Sequence, residues 1–351
     1  MVQARNDFLR KFFLVFIFVF HSQLAFSQAN LYNFAFTSMQ NMLSGKEQIS
    51  FKKAIFLTEN AFSDTPLDTT QFNKQIRLLI TLCKGFHQTN PLANYSQKDK
   101  ATVALWGAVF KVMTDTVTIL LPNGEKAYHL PFTYDFEDYF GEQNWTKMFV
   151  IKLLATKKGN CHSLPYLYKI LCEELGVSAN LALAPNHIYI KHRAEKTGWY
   201  NTELTSAAFP IDAWLMASGY IHLSAIQNSV YMKALTDQES IALCLVDLAE
   251  GYKRKTNGQD TDFILKCCNT ALQYFPNCVN ALIVKAETLK QIFEKTQNKQ
   301  TFNEVQDLYL QIHDLGYRQM PKEMYLNWLM ELRTEKDKYL NKNLIEGQNK
   351  K

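Results

Sequence analysis

Apolar residues recur at intervals of three and four in two long parts of the chain, which predicts that both parts are mainly helical. The first part runs from residue 28 to about residue 110, and the second begins after about residue 220. The candidate helices lie near 51–62, 76–86, 101–110, 237–254, 262–274, 279–295, 302–315 and 322–340.

The middle of the chain has a different periodicity, with short β-favouring stretches on either side of turn residues. Residues 116–121 and 126–130 flank an Asn-Gly pair, which predicts a hairpin. The alternating stretches 184–191 and 199–205 are joined by a polar segment and predict a second antiparallel hairpin. We therefore expect an α+β fold with helices on both sides of the strands.

The beginning of the chain has the three-part layout of a secretory signal peptide. Arg5, Arg10 and Lys11 precede the apolar run 12–20, and small residues precede a cleavage point after Ser27. An uncleaved anchor is the alternative, but the run is short against the roughly 20 residues of a spanning helix. No cysteine occurs early enough to carry a lipid anchor, so we expect a secreted or periplasmic protein without a stable membrane span.

Composition and charge exclude several classes of protein. The chain has 351 residues, 47% of them hydrophobic, which is enough for a large core divided into two or three units. Loss of the signal peptide removes three positive charges and one negative charge, so the formal charge falls from +5 to +3. This mild excess argues against nucleic acid as a partner. Gly-rich phosphate loops are absent, so no nucleotide or flavin cofactor is expected.

The chain contains an odd number of cysteines, so in an exported protein at least one thiol is left unpaired within the chain. No CxxC spacing occurs, and we interpret most of these residues as small buried apolar side chains. The seven are Cys83, Cys161, Cys172, Cys244, Cys267, Cys268 and Cys278.

Cys161 has a setting that suits chemistry. It follows Gly159 and Asn160 and directly precedes a run of helical periodicity that ends at Gly176. Unpaired N–H groups and the positive end of the helix dipole at such a position favour a thiolate, and the same N–H groups can bind an oxyanion. Cys172 lies inside the helix and is expected to be core.

The second hairpin predicts partners for this thiol. If its register is symmetric about residue 195, Lys191 lies opposite Trp199 and His187 lies opposite Glu203. Opposed residues have Cβ atoms roughly 4.5 to 5.5 Å apart, at which a carboxylate can accept the imidazole N–H and stabilise imidazolium. Asn201 shares this face and is the alternative orienting residue, and a register slip of one would remove Glu203 from the face.

These features together resemble the transglutaminase-like superfamily over roughly residues 143–206. The resemblance implies a papain-like core, in which a helix packs on an antiparallel sheet and Cys161 faces the strand of His187. The family has Asp where this chain has Glu203. The matching features are Gly159-Asn160-Cys161 opening a helix, Leu175-Gly176-Val177 ending it, His187 starting a strand, and Gly198-Trp199 followed by Glu203.

The C-terminal helices resemble tetratricopeptide repeats, especially residues 271–276, and a bacterial subgroup combines such helices with the transglutaminase-like core. No second copy occurs at a clean interval of about 34 residues, so an ordinary helical bundle remains the alternative. The expected division is a signal peptide 1–27, an N-terminal helical region with a β-hairpin 28–142, a transglutaminase-like core 143–234 and a helical tetratricopeptide-like domain 235–351.

The residues and the resemblance lead to one functional hypothesis and one rival. Cys161 attacks an amide carbonyl, His187 takes and returns a proton, and Glu203 orients His187. Water as the second nucleophile gives a peptidase or amidase, and an amine gives cross-linking; hydrolysis is preferred. The substrate is expected to be a protein, a peptide or a peptidoglycan stem peptide, with the C-terminal helices as a surface for a protein partner. The rival is a non-catalytic binding protein that uses the same cleft and helices.

Three other assignments complete the expected site. A metal site is not expected, because His187 and His192 point to opposite faces of one strand and no HxxxH or CxxC pair occurs. His162 is interpreted as incidental. Asn144 or Trp145 is suggested as a second oxyanion donor by its position upstream of Cys161.

Overall fold

The computed structural model describes residues 30–341, without the side chain of Asp337. The predicted signal peptide therefore lies outside the described residues. Within them the fold is a mixed α+β arrangement in which helices predominate and the sheets are small.

The N-terminal part consists of four helices whose starts are set by short polar side chains. The Ser50 hydroxyl accepts from the N–H of Lys53, and the Asp68 carboxylate accepts from the first turn of the next helix. Their apolar faces join the main core. The four are α1 (30–43), α2 (Phe51–Phe62), α3 (Thr69–Thr89) and α4 (Lys100–Thr114).

The predicted first hairpin is confirmed. Val117 pairs with His129, and Gly124 takes a left-handed φ of 85° in the turn. A parallel two-stranded sheet then joins the segment after the hairpin to the segment before Cys161. The elements are β1 (Val117–Leu120), β2 (Lys126–His129), β3 (Thr133–Tyr134), a 3₁₀ turn (Trp145–Met148), α5 (Val150–Thr156) and β4 (Lys158–Gly159).

The central unit is a buried helix on a three-stranded antiparallel sheet. Helix α6 has Leu164, Leu167 and Ile170 among its fully buried side chains and contacts two of the strands. This part of the structure holds the predicted site residues. The elements are α6 (Ser163–Glu174), β5 (Asn180–Ala184), β6 (His187–Ala194) and β7 (Gly198–Thr202), with strand order β5-β6-β7.

The predicted register of the second hairpin is wrong by two residues. Lys191 lies opposite Asn201 instead of Trp199, and Ala194 pairs with Gly198. Gly198 has a left-handed φ of 71° and closes a three-residue loop, which places the centre of the turn at residue 196. Because the shift is an even number, every side chain keeps its predicted face.

The C-terminal part contains eight helices in the described range. Helix α9 begins with a capping box between Thr236 and Glu239 and packs on both α2 and α10; α10 then packs on α11, and α11 on α12. The predicted last helix, 322–340, is divided at Glu335 into α13 and α14. The eight are α7 (Asp212–Ser218), α8 (Leu223–Gln227), α9 (Asp237–Lys255), α10 (Thr261–Tyr274), α11 (Val279–Thr296), α12 (Lys299–Asp314), α13 (Lys322–Thr334) and α14 (Lys336–Tyr339).

Two chain-wide expectations can be compared with these coordinates. Among residues 30–341, no helix is both long enough and apolar enough to cross a bilayer. All seven cysteines are buried free thiols, as expected for most of them.

Candidate active site

Cys161 lies in the tight connection between β4 and α6. The Asn160 side-chain oxygen accepts hydrogen bonds from the N–H groups of His162 and Ser163, at 3.0 and 3.1 Å. Gly159 allows this close packing, because a Cβ atom would lie 2.6 Å from the Ser163 hydroxyl and 2.7 Å from a Leu153 methyl carbon, and both side chains would have to shift. The sequence thus fixes the thiol at the beginning of the helix, as predicted.

His187 and Glu203 form a buried pair. The His187 Nε2 lies 2.6 Å from the Glu203 Oε2, and the second carboxylate oxygen accepts the N–H of Thr205 at 2.7 Å. His187 is 3% exposed and Glu203 is 2% exposed. The predicted contact between these two residues is therefore present.

The pair meets although the predicted register is wrong. In the observed register the two residues are diagonal neighbours on one face, and Glu203 lies one residue beyond the end of β7. A bridge from Glu203 to Ala208 holds the backbone there. Asn201, the alternative orienting residue, donates instead to the Pro210 carbonyl and to Asp212, so it does not contact His187.

Tyr325 from α13 connects the thiol to the imidazole. Its hydroxyl donates to the Cys161 sulfur at 3.1 Å, and its oxygen lies 3.1 Å from the His187 Nδ1. Tyr325 is 0% exposed, and Trp328 from the same helix packs edge-on against the His187 ring at 4.9 Å. The arrangement is a continuous chain from sulfur through hydroxyl and imidazole to carboxylate.

Sequence reasoning missed Tyr325 because it lies 164 residues from Cys161. The pattern of α13 predicts a helix with a buried face, and Tyr325 is one of several large apolar residues on that face. Nothing local distinguishes it from a core tyrosine.

The electrostatics of this chain favour an ion pair between sulfur and imidazole. Burial works to lower the pKa of His187, but the charge and hydrogen bond of Glu203, together with Cys161, raise it to about 10. Burial works to raise the pKa of Cys161, but the hydrogen bond and charge of His187 and the hydrogen bond from Tyr325 lower it overall. The pKa of Glu203 is also lowered, because the charge of His187 outweighs its burial.

The other cysteines show the opposite behaviour. Burial raises the pKa of each one of the remaining six, to about 12 for Cys83, Cys268 and Cys278. Cys172 is fully buried in α6, as predicted for a core residue. Cys161 is thus the one cysteine in the described chain whose pKa is lowered.

His162 forms a second pair with a carboxylate, Asp247, a contact that its interpretation as incidental did not predict. Its Nδ1 faces the Met148 carbonyl at 3.0 Å, and its Nε2 faces the Asp247 carboxylate at 3.1 Å. Both neighbours can accept a hydrogen bond, and this arrangement favours a proton on each ring nitrogen. Burial works against this charge, but Asp247 raises the pKa of His162 overall. Tyr166 donates to the other oxygen of Asp247 at 2.8 Å.

A cavity of about 290 Å³ borders the thiol and both histidines. Cys161, His162 and His187 line one side of it. Helices α9 and α11 also line the cavity, through Asp247 and Val284. The site therefore opens into a cleft that the C-terminal helices complete.

Of the two suggested oxyanion donors, Asn144 caps a turn and Trp145 borders the cavity. The Asn144 side-chain oxygen accepts from the N–H and hydroxyl of Thr146 and caps the 3₁₀ turn. The Trp145 ring lines the cavity. Among residues 30–341, no group of three or more His, Cys, Asp and Glu side chains is arranged to hold a metal ion.

The comparisons with known proteins add nothing to this geometry: no protein-family model, no curated protein and no solved structure matches the chain.

Proposed function

We propose that this chain is an exported cysteine acyl-transfer enzyme of the transglutaminase-like type. Cys161 is its nucleophile, His187 its general base and acid, and Glu203 the residue that orients His187. The preferred reaction is hydrolysis of an amide bond in a protein, a peptide or a peptidoglycan stem peptide, through a thioester.

One observation carries the proposal. A thiol with a lowered pKa, an imidazole and a carboxylate are joined in that order inside a buried site, and the thiol borders a cavity. Structural cysteines are ordinarily inert thiols with raised pKa values, as the other six are here. A nucleophilic cysteine needs a lowered pKa, and at Cys161 the charge and hydrogen bond of His187 contribute to lowering it.

The residues have defined tasks in the proposed reaction. The Cys161 sulfur attacks the carbonyl carbon, and the imidazolium of His187 donates a proton to the leaving amine, which gives a thioester. Water then attacks with His187 as base, and the thiolate returns. Glu203 holds the ring and stabilises imidazolium throughout.

The oxyanion requires a donor near the sulfur. The N–H groups of His162 and Ser163 both donate to Asn160, which leaves the N–H of Cys161 as the candidate at this helix start. Trp145 lines the same cavity, and its indole N–H is the second candidate.

The surrounding fold supports the family assignment in part. A buried helix that starts beside the nucleophile and packs on an antiparallel sheet is the arrangement that a papain-like core implies. The successive packing of α9, α10, α11 and α12 is compatible with tetratricopeptide-like stacking. In this proposal those helices hold the substrate, since two of them form a wall of the cavity.

The test measures thiol reactivity and acyl transfer in the same protein. Iodoacetamide labelling across pH, read by peptide mass spectrometry, should modify Cys161 well below the ordinary thiol pKa of about 8.5 and leave Cys172 of the same helix unlabelled. p-Nitrophenyl acetate should give a burst of nitrophenolate and an acetyl group on Cys161. The variant Cys161→Ala should show neither signal.

An unreactive Cys161 in a folded protein would overturn the proposal. The cleft and helices would then serve a non-catalytic binding protein, with α13 covering the thiol.

A further inference from the structure

A second cavity lies on the other side of strand β7 from Glu203. It encloses about 70 Å³ and is partly open to the surface beside Lys196. One water needs ~10–15 Å³ of such space, so the enclosed part has room for several waters, and because the cavity is partly open a ring can enter it and project toward the surface. None of the proposed catalytic residues lines it.

Six of its fourteen lining residues are aromatic. Phe110 and Phe209 are in contact, with ring centroids 4.6 Å apart, and Trp106 meets Tyr200 edge-on at 6.4 Å. Such walls present both ring faces and ring edges to the space between them. They suit a flat ring, which gains from offset or edge-on packing.

Two hydroxyl groups in the wall have no partner in the described structure. The Thr202 side chain is 1% exposed, and its oxygen makes no hydrogen bond with any residue from 30 to 341; the same holds for the Thr197 hydroxyl. Both residues line the cavity. Since buried polar groups are ordinarily paired, this pair indicates a hydrogen-bonding group in the space.

A glycine in α4 keeps the cavity open. Gly107 lies inside the helix with an ordinary helical backbone, and a Cβ atom added there would meet nothing within 4 Å. Alanine is the better helix former at such a position, so the local cost of glycine has no packing reason. Any larger residue there would extend into the cavity.

We propose that this cavity, bounded by α4, α6 and β7, binds a small single-ring aromatic molecule that carries a hydroxyl group. The ring packs among Trp106, Phe110 and Tyr200, and the hydroxyl bonds to the Thr202 oxygen. The site does not depend on the proposed catalytic function.

Calorimetric titration with p-cresol tests the proposal, with toluene as the analogue that lacks the hydroxyl. We expect saturable binding of p-cresol and at least tenfold weaker binding of toluene. Thr202→Val keeps the shape of the side chain and should weaken p-cresol binding about tenfold while changing toluene binding little.

Variants at glycines separate this cavity from the one at Cys161. Gly107→Leu should remove p-cresol binding and raise the melting temperature, whereas Gly85→Ala, at an exposed position in α3, should leave binding unchanged. Absence of binding to the wild type, or equal binding to a folded Gly107→Leu protein, would overturn the proposal. Iodoacetamide labelling of Cys161 should be the same in all these variants, so the two proposals fail independently.

Discussion

Two histidines on strand β6 are both buried, but they differ in their partners and in the direction of their pKa shifts. His187 is 3% exposed and faces Glu203, and its pKa is raised to about 10. His192 is 1% exposed on the opposite face, and burial lowers its pKa to about 3. Its ring stacks on Trp106 at 4.3 Å, and its Nε2 lies 3.0 Å from the Tyr168 hydroxyl.

The difference teaches that the partner, not the burial, decides the charge of a buried imidazole. Desolvation disfavours imidazolium at both positions, and at His187 the nearby Glu203 carboxylate, together with Cys161, reverses the effect. One strand thus presents a charged site on one face and neutral packing on the other. The alternation of side chains along a strand keeps the two environments apart.

Removal of the Glu203 carboxylate should make His187 neutral, as His192 is. We expect Glu203→Gln to leave His187 neutral and to lower the rate of acyl transfer by about 10³-fold, since the orienting anion is lost. The rate of Cys161 alkylation at pH 6.5 should fall at least tenfold, because the thiolate loses its imidazolium partner. Stopped-flow alkylation and p-nitrophenyl acetate kinetics measure both.

Glu195→Gln is the matched control, because Glu195 is an exposed carboxylate in the same hairpin. It should leave both rates unchanged. If the Glu203→Gln protein is alkylated at the wild-type rate, Glu203 is not what keeps His187 charged beside Cys161.

The second prediction concerns His192 and the pH dependence of stability. Its folded pKa of about 3 lies below the ordinary value of about 6.5, so the unfolded chain binds a proton that the folded chain does not. The stability from this residue is therefore complete above pH 6.5 and is lost as the pH falls toward 3. At pH 5 the loss amounts to about 2 kcal/mol.

His192→Phe should remove this part of the acid sensitivity. Urea unfolding at pH 7 and pH 5 should show a drop in the free energy of unfolding that is about 2 kcal/mol smaller in the variant than in the wild type. His313→Gln, at an exposed histidine, should behave like the wild type. Parallel losses in all three proteins would mean that His192 is protonated in the folded state.

The third and smallest effect is expected at His162, a half-buried histidine that also faces a carboxylate. Asp247→Asn should leave His162 neutral and remove a positive charge beside Cys161, whose pKa this charge helps to lower. We expect the alkylation rate of Cys161 at pH 6.5 to fall by a factor of about 3 to 10.

Asp262→Asn, at an exposed position in α10, serves as the control. If Asp247→Asn and His162→Gln leave the pH profile of alkylation unchanged, the charge at Cys161 comes from His187 alone. In the double variant His162→Gln with Asp247→Asn, the loss should equal that of either single variant, because the two residues act as one pair.

The sequence predicts what depends on local pattern. The helix that starts at Cys161, the two hairpins and the shared face of His187 and Glu203 follow from periodicity and turn residues, and each is present in the structure. The hairpin register is predicted wrongly, because the choice between a loop centred on 195 or on 196 depends on the left-handed backbone of Gly198.

The parts that sequence reasoning missed are contacts between distant segments. Tyr325 and Asp247 come from helices α13 and α9, and each is one residue in an amphipathic pattern that only predicts burial. Which of the buried positions meets Cys161 or His162 is decided by how the helices pack on the sheet. That information is spread over the whole core and is not carried by any single motif.

The position of Tyr325 along the chain has a consequence for biosynthesis. A ribosome that has just completed residue 161 must add 164 further residues before the hydroxyl that binds the sulfur exists. During that interval the Cys161 thiol lacks the hydrogen bond from Tyr325, which forms only when α13 docks. For the proposed enzyme, this means that the complete site is assembled only after the C-terminal helices have been synthesised.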